Sequence, residues 1–312
     1  MSEKEIQREK VVIIGSGPAG LTAAMYTGRA MLDPVVIVGD QLGGQIANSS
    51  EVENYPAFDE VISGQELIDH MVKQAEKFNA RFDYDFVQEV DFAGGSPFTV
   101  KTYGKEYLAD TVIVTAGASP RKLGIPGEDK FWGNGVSTCG TCDGFFYRGR
   151  KVVVVGGGDS AMEEGLFLTK FASEVQVIHR RDELRAGPQL QKRAFANEKM
   201  TFTWDTVAEE VLGDDGVTGV RLRNLKTDEV TEIETDGFFL FIGHIPNSQI
   251  FGEQLEMDEE GFVIVDELMR TSVEGVFAAG EIQDSIYRQV ATSVGQGCAA
   301  AMSAERWLAE QE

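Results

Sequence analysis

The chain contains few residues of several types, and each shortage excludes a class of protein. Its 312 residues include three cysteines, too few for a framework of structural disulfides. Lys and Arg number 28 against 51 Asp and Glu, so the formal net charge is −23. That balance argues against nucleic-acid binding, because phosphates are neutralised by clustered cations. No apolar run approaches the ~20 residues of a membrane helix.

The amino-terminal segment MSEKEIQREK is charged and has no apolar stretch of the signal-peptide type. We therefore expect a cytoplasmic protein. A length of 312 residues, with 42% hydrophobic and 25% charged residues, is typical of a globular chain with two domains of ordinary size.

A strand, a glycine-rich turn and a helix are predicted near the amino terminus. The β-branched run Val11–Ile14 precedes the glycines of a G-x-G-x-x-G pattern, and a second strand is predicted over Val35–Val38. Such glycines allow a tight turn, close approach of the backbone to a pyrophosphate, and close helix–strand packing. The acidic residue expected at the end of the second strand is displaced, since Val38 and Gly39 stand there and Asp40 follows. Asp40 is a candidate for the ribose.

The same pattern returns at residue 151, with a strand over Val152–Val155 followed by GGGDSA. The second strand of this unit ends in His179, Arg180 and Arg181, with Arg185 four residues later. A 2′-phosphate requires cations, whereas a free 2′-hydroxyl is best met by a carboxylate. The arginines therefore favour NADPH over NADH, and a solvated basic loop is the alternative. The alternation of strands and helices predicts an α/β fold with two Rossmann-like dinucleotide-binding domains.

Two of the three cysteines, Cys139 and Cys142, form a C-x-x-C motif that Asp143 follows directly. In a reducing cytosol such a pair is expected to be catalytic or metal-binding. A carboxyl group beside it could exchange the proton that thiol–disulfide chemistry requires. A zinc site would need two more ligands, and the sequence offers no second pair with metal-ligand spacing. Cys298 lies in a small-residue helix and is interpreted as a packed apolar residue.

Nine motifs in order resemble those of the low-molecular-weight thioredoxin reductases of the bacterial and archaeal type. They are GSGPAG at Gly15, GGQ at Gly43, ENYP at Glu53, CxTCDG at Cys139, GGGDSA at Gly156, HRRxxxR at His179, GHxPN at Gly243, AAG at Ala278 and YRQ at Tyr287. The resemblance covers nearly the full length of the chain. It implies FAD and NADPH as cofactors, thioredoxin as the protein substrate and a homodimer.

The resemblance also implies a domain arrangement. Residues 1–119 and 248–312 would form a discontinuous FAD-binding domain around an inserted NADPH-binding domain, residues 120–247, which carries the C-x-x-C motif. Since that motif and the nicotinamide site then share one domain, relatives alternate between them by a large domain rotation. The hinge is predicted near residues 117–127 and 243–249, where Gly and Pro are frequent.

The roles implied for single residues follow the motifs. Cys142 is the thiol nearest the flavin, Cys139 attacks the partner's disulfide, and Asp143 is the general acid. The predicted cofactor-binding residues, in chain order, are Gly15, Gly17, Pro18, Ala19, Gly20, Asp40, Gly43, Gly44, Gln45, Asn54, Ala116, Gly117, Gly156, Gly158, Asp159, Ser160, Ala161, His179, Arg180, Arg181, Arg185, Gly243, Gly280, Glu281, Arg288, Gln289 and Val290.

Two positions depart from the family pattern. Glu281 stands where Asp is usual, which moves the carboxylate by one methylene relative to the ribityl chain. Gly140 replaces a common Ala between the cysteines and is expected to loosen that loop.

Other flavin reductases of the same fold are the alternatives. Ferredoxin-dependent relatives lack the NADPH arginines, and ferredoxin–NADP reductases lack the cysteines. A flavodoxin or a glutaredoxin-like protein could be the acceptor. A peroxiredoxin-reducing relative would need an additional amino-terminal region, and a dithiol oxidase needs no NADPH site. A redox sensor that binds both nucleotides without turnover is the non-enzymatic alternative.

Overall fold

The structure is a computed structural model that describes residues 5–311. The chain divides into two compact units. The first comprises the described residues up to Ser119 together with those from Ile245 onward, and the second comprises Pro120–His244. None of the described helices is both long and apolar enough to cross a membrane.

The first unit is built on a seven-stranded sheet with the order β3-β2-β1-β6-β5-β4, in which β17 also pairs with β6. Its strands are β1 (Glu5–Ile14), β2 (Val35–Ile37), β3 (Arg81–Asp83), β4 (Val87–Asp91), β5 (Phe98–Thr102), β6 (Lys105–Val114) and β17 (Val276–Ala278). Its helices are α1 (Pro18–Arg29), α2 (Gly64–Glu76) and α6 (Val290–Gln311), with 3-10 turns at Gly44–Asn48 and Gln249–Gln254.

Strands β1, β2, β3, β6 and β17 are parallel, whereas β4 and β5 form an antiparallel ribbon on β6. The run Val11–Ile14 is completely buried, as expected for a parallel strand covered on both faces. The sequence predicts β1 only from Val11, but the strand begins at Glu5. The residues before Val11 pair with the first half of β6, and most of their side chains are exposed or half-buried.

The second unit contains a five-stranded parallel sheet with the order β11-β10-β9-β15-β8 and a separate antiparallel sheet, β12-β13-β14. Its strands are β8 (Val136–Ser137), β9 (Lys151–Val155), β10 (Glu174–Ile178), β11 (Met200–Thr203), β12 (Thr206–Gly213), β13 (Val217–Asn224), β14 (Val230–Glu234) and β15 (Gly237–Leu240). Its helices are α3 (Gly140–Asp143), α4 (Asp159–Leu168) and α5 (Pro188–Phe195), with a 3-10 turn at Gly144–Tyr147.

The chain passes between the units twice, and a short strand lies at each crossing: β7 (Ala118–Pro120) and β16 (His244–Pro246). The two parallel sheets each carry one strand–glycine loop–helix unit, β1–α1 and β9–α4. The α/β fold with two Rossmann-like units predicted from the sequence is confirmed. The division into an FAD and an NADPH domain, with the predicted boundaries, stays a prediction.

Candidate functional site

A cavity of about 500 Å³ opens in the first unit at the carboxyl ends of its parallel strands. It is lined by the last residues of β1 and β2, Ile14 and Ile37, and by Thr115 just after β6. Ligands of open α/β sheets bind at this edge. The volume lies within the range of ligand pockets, roughly 300–1,000 Å³.

The amino end of α1 faces this cavity. Gly17 is its N-cap residue, and no side chain caps the helix. Among the described residues other than its chain neighbours, a Cβ built on Gly17 would have one heavy atom within 4 Å, the carbonyl oxygen of Gly43 at 3.9 Å, so there is room for a ligand to approach this glycine. At Gly20, by contrast, a Cβ would lie 2.1 Å from the carbonyl oxygen of Gly15. One glycine therefore opens the space in front of the helix and the other allows helix and strand to touch, which suits a pyrophosphate.

Most residues that the sequence predicts for the flavin line this one cavity. They are Gly15, Gly17, Pro18, Ala19, Asp40, Gly43, Gly44, Gln45, Ala116, Gly117, Gly280, Glu281 and Val290. Gly20, Asn54, Arg288 and Gln289 are not among the lining residues, although the Asn54 amide donates to Gln289 Oε1 at 3.3 Å. Asn54 and Gln289, 235 residues apart in sequence, are therefore brought together by the fold.

Sequence reasoning missed part of the lining, including Phe86, Val87, Ser119, Ile250 and Ser293. These residues belong to no glycine motif. The signal that could have found Phe86 is its place after a parallel strand, β3, because the carboxyl ends of such strands meet at one edge.

Asn247 was also missed, although it lies in the GHxPN motif. Its amide donates to the carbonyl oxygen of Ala116 at 2.8 Å, and its backbone N–H donates to that of Gly117 at 3.0 Å. Its side-chain oxygen accepts from Ser119 Oγ at 3.0 Å. The returning chain thus holds the loop after β6 in place beside the cavity.

Glu281 lines the cavity as a half-buried carboxyl group. Burial raises its pKa to about 7, the Asp284 carboxylate contributes in the same direction, and Arg288 opposes them. The one-methylene departure at this position therefore places a group that titrates near neutral pH in the wall of the predicted flavin site.

Asp284, which the sequence analysis did not single out, organises the loop before α6. Its buried carboxylate accepts from the backbone N–H groups of Ile286, Tyr287 and Arg288 at 3.0, 2.8 and 3.3 Å. It also accepts from the Gln296 amide at 3.4 Å, and Gln296 Oε1 accepts from the N–H of Gly280 at 3.0 Å. One network therefore joins this loop to the glycine beside Glu281.

In the second unit two loops are bonded directly to each other. They are the arginine loop after β10, which carries Arg180, Arg181 and Arg185, and the glycine loop before α4, residues 156–158. The backbone N–H groups of Arg185 and Ala186 donate to the carbonyl oxygen of Gly157 at 2.7 and 3.1 Å. Asp159, at the start of α4, accepts from the N–H of Gly187 at 2.7 Å. A Cβ on Gly158 would lie 4.0 Å from an Arg185 guanidinium nitrogen, so that cation stands beside the amino end of α4.

The side chains of Arg180, Arg181 and Arg185 are exposed, and none forms an ion pair within residues 5–311. The nearest acid in sequence, Asp182, accepts from Lys226 at 3.3 Å instead. Three guanidinium groups without an ion pair among the described residues therefore lie after β10, where the sequence predicts the 2′-phosphate of NADPH.

His179, grouped with these arginines by the motif, occupies a different environment. Its ring is buried against Gly157, where a Cβ would meet it at 2.4–2.7 Å, and Nε2 has no hydrogen-bond partner among the described residues. Burial lowers its pKa, and Arg185 and Arg181 lower it further. The buried His179 ring therefore packs against Gly157, whereas the exposed arginines carry the positive charge of this loop.

Cys139 and Cys142 form a disulfide with an S–S distance of 2.07 Å and a Cα–Cα distance of 5.3 Å. Cys139 is the N-cap of α3, and its sulfur accepts from the N–H of Cys142 at 3.1 Å. Both cysteines are half-buried. The pair is therefore poised for thiol–disulfide exchange at the surface of the second unit.

Asp143 ends α3, with its N–H bonded to the carbonyl oxygen of Cys139 at 3.1 Å. Burial raises the pKa of the nearby Tyr147 to about 12, and the Asp143 carboxylate adds to that rise. No group of three or more metal-ligating side chains converges anywhere in residues 5–311. Cys298, in α6, is half-buried and contacts Met302 at 3.9 Å, and its packing role stays a prediction.

Comparison with known proteins places these features in one family. Residues 9–297 match the family described as pyridine nucleotide-disulphide oxidoreductase. Proteins named thioredoxin reductase from Mycolicibacterium smegmatis and Streptomyces coelicolor are 51% and 49% identical to the chain. The alignments cover 97% of this chain and 97% of the first relative, and 96% and 94% for the second. The chain belongs to the thioredoxin reductases of the pyridine nucleotide-disulphide oxidoreductase family.

A solved thioredoxin reductase from Streptococcus pyogenes is 43% identical, with a TM-score of 0.93, and the match covers 97% of this chain and 99% of that one. The resemblance stated from nine short motifs is thereby confirmed over the full match. As a member of this family the chain is an oxidoreductase.

Proposed function

We propose that this protein reduces the disulfide of thioredoxin with NADPH, through FAD and the Cys139–Cys142 pair. The observation that carries the proposal is the disulfide between these two cysteines, in the same unit as the arginine loop, whose guanidinium groups form no ion pair with the residues that the structure describes. The names of the relatives support it, since the chain is about half identical to proteins called thioredoxin reductase.

The cavity of the first unit is proposed to hold FAD. Its size, the uncapped amino end of α1 and the open space before Gly17 suit a pyrophosphate there. Asp40, at the cavity rim, is proposed for the ribose. Glu281 is proposed to meet the flavin side of the cofactor.

The loop after β10 is proposed to hold the 2′-phosphate of NADPH through Arg180, Arg181 and Arg185. The amino end of α4, likewise without a side-chain cap, would receive the pyrophosphate. Bound NADPH supplies a hydride and bound FAD passes its two electrons to a disulfide.

The cysteine pair transfers the electrons to the protein substrate. Two electrons and two protons convert the Cys139–Cys142 disulfide into two thiols. The Cys139 thiolate then attacks a thioredoxin disulfide, which forms a mixed disulfide and releases one thioredoxin thiolate. Attack of Cys142 on the Cys139 sulfur restores the disulfide and releases the second thiolate. Asp143 is proposed to supply the proton to the leaving sulfur.

The pair and the arginine loop lie in the same unit, so a rotation of that unit is proposed to bring each to the flavin in turn. Residues 117–127 and 243–249 are the proposed hinge. Crosslinking the two crossings is expected to stop turnover and to leave FAD bound. A homodimer in the cytoplasm is also proposed, and light scattering of the purified protein tests the dimer.

The test is an anaerobic titration of the purified protein, followed through the flavin absorbance. NADPH is expected to bleach the flavin and NADH to do so poorly, after which oxidised thioredoxin restores the colour. If dithionite reduced the flavin but neither nucleotide did, the proposal would fail, and a ferredoxin or a dithiol would have to be sought as the donor.

A further inference from the structure

The first turn of α3 offers two backbone N–H groups that lie between the redox cysteines. The N–H of Cys142 donates to the sulfur of Cys139 at 3.1 Å. The N–H of Thr141 donates instead to a side chain of another helix, the Glu164 carboxylate of α4, at 3.2 Å. One of the two groups is thus bonded to the pair itself and the other to a negative charge outside it.

Gly140, between the cysteines, makes room for that carboxylate. It is a buried helical residue, and a Cβ there would lie 2.6 Å from Glu164 Oε2 and 3.4 Å from the ring of Phe241. The sequence predicts a looser loop from this glycine, whereas the structure gives it a spatial reason. The carboxylate occupies the space that an alanine side chain would fill.

Glu164 belongs to the helix that starts at the nucleotide loop. Helix α4 begins at Asp159, where it receives the N–H of Gly187 from the arginine loop. Glu164 lies one and a half turns later and is half-buried. A single ten-residue helix therefore holds the arginine loop at its first residue and the redox turn near its middle.

On these contacts, and on the proposed redox role of the cysteines, we propose that Glu164 is a positioning residue for the Cys139–Cys142 pair. Its carboxylate fixes the first turn of α3 to α4. It also places a negative charge within that turn, which disfavours the thiolate of the reduced pair and favours the disulfide. Gly140 is the residue that admits this charge.

The elements of the turn and of α4 carry other charged or titratable groups. They are Asp143 on α3 itself, Asp159 and Glu163 on α4, and Tyr147 on the adjoining 3-10 turn, which senses Asp143, Arg150 and Asp236. All of them remain in place when Glu164 or Gly140 is replaced.

The experiment uses the FAD-containing protein reduced with dithiothreitol, which is then removed anaerobically. The rate of thiol alkylation by iodoacetamide is measured against pH for the wild type, Glu164→Gln, Glu164→Ala and Gly140→Ala. Glu198→Gln is the matched control, because Glu198 is an exposed carboxylate of the same unit with no hydrogen bond or ion pair in the described residues. Neither NADPH nor thioredoxin is used, so failure of the proposed reaction would leave this test intact.

Loss of the charge is expected to move the alkylation midpoint of Glu164→Gln to lower pH by about half a unit or more. Gly140→Ala is expected to shift it in the same direction, since the new methyl group displaces the carboxylate. The control midpoint should not move. Unchanged midpoints in both Glu164→Gln and Gly140→Ala, or a shift to higher pH, would overturn the proposal.

A second measurement separates the hydrogen bond from the charge. Gln keeps an acceptor for the Thr141 N–H, whereas Ala removes both acceptor and charge. In glutathione redox buffers, both variants should be half reduced at a lower ratio of thiol to disulfide than the wild type. The ratio for Glu164→Ala should be roughly threefold lower than the ratio for Glu164→Gln. Wild-type midpoints for both variants would contradict the positioning role.

Discussion

The two strand–glycine loop–helix units of this chain share a framework and differ at the exit of their second strand. After β2 the chain runs through Gly39 and Asp40 into a loop that helps to enclose a cavity. After β10 it runs through Arg180, Arg181 and Arg185, which are exposed and form no ion pair within residues 5–311, and the backbone N–H of Arg185 donates to the glycine loop at Gly157. We propose a pyrophosphate position at the glycine loop of each unit. The exit loop lines a cavity in the first unit and is exposed in the second, which fits the proposed resident FAD and exchanging NADPH.

The largest expected effect comes from the close approach of α1 to the glycine loop in the first unit. Gly20→Val puts side-chain atoms where a Cβ already lies 2.1 Å from the carbonyl oxygen of Gly15, so α1 must leave the sheet. We expect destabilisation by about 3 kcal/mol and purification without FAD. Flavin content and urea unfolding measure this. In the second unit Gly158→Ala meets only Arg185, at 4.0 Å, and should keep both its flavin and its stability. An equal loss of flavin and of stability in both variants would contradict the comparison.

The next prediction concerns the open site. Replacing Arg180 and Arg181 together by Gln removes two cations from the predicted phosphate position. The KM for NADPH is expected to rise about 10–100-fold, while the KM for NADH and the flavin content stay the same. Arg221→Gln is the control, because that arginine of the same unit is already paired with Glu210 and Glu232. Steady-state kinetics give the KM for both nucleotides. An equal rise in the KM for NADH would contradict a 2′-phosphate site at these arginines.

These features differ in how far the sequence predicts them. The glycine spacing and the buried β-branched runs predict both framework units because each depends on local backbone requirements. The sequence also indicates the arginine loop, since the strand exit is a fixed position in the motif. Phe86 follows a parallel strand and could have been found from that position, whereas Ile250 reaches the cavity from the 3-10 turn Gln249–Gln254 after the chain returns to the first unit, which no local pattern encodes. The Glu164–Thr141 contact joins two helices, and only the packing of α4 against α3 reveals it.

An intermediate effect is expected from Asp284, whose carboxylate holds the loop beside the enclosed site. Asp284→Asn keeps the shape but removes the charge from its bonds to three backbone N–H groups, which should cost about 2 kcal/mol of stability. FAD affinity should fall about tenfold, because the same network reaches Gly280 through Gln296. Asp258→Asn is the control, since Asp258 also accepts from two backbone N–H groups but does not line the cavity. FAD release followed by fluorescence should separate the two variants.

The smallest predicted effect is a dependence of stability on pH that Glu281 introduces in the first unit. Glu281 titrates at about 7 in the folded protein, above the ordinary value of 4.5. Between these two values the folded chain holds a proton that the unfolded chain has lost, so Glu281 makes the protein less stable as the pH rises from about 4.5 to 7. Glu281→Gln should remove this slope, and its unfolding temperature should exceed that of the wild type more at pH 8 than at pH 5. The measurement is thermal unfolding of the FAD-free protein, with Glu51→Gln, an exposed carboxylate of the same unit, as the control. If the difference in unfolding temperature between Glu281→Gln and the wild type did not widen with pH, the Glu281 carboxyl group would already be ionised at pH 5. The cavity of the first unit would then be as accessible to water as the exposed arginine loop of the second.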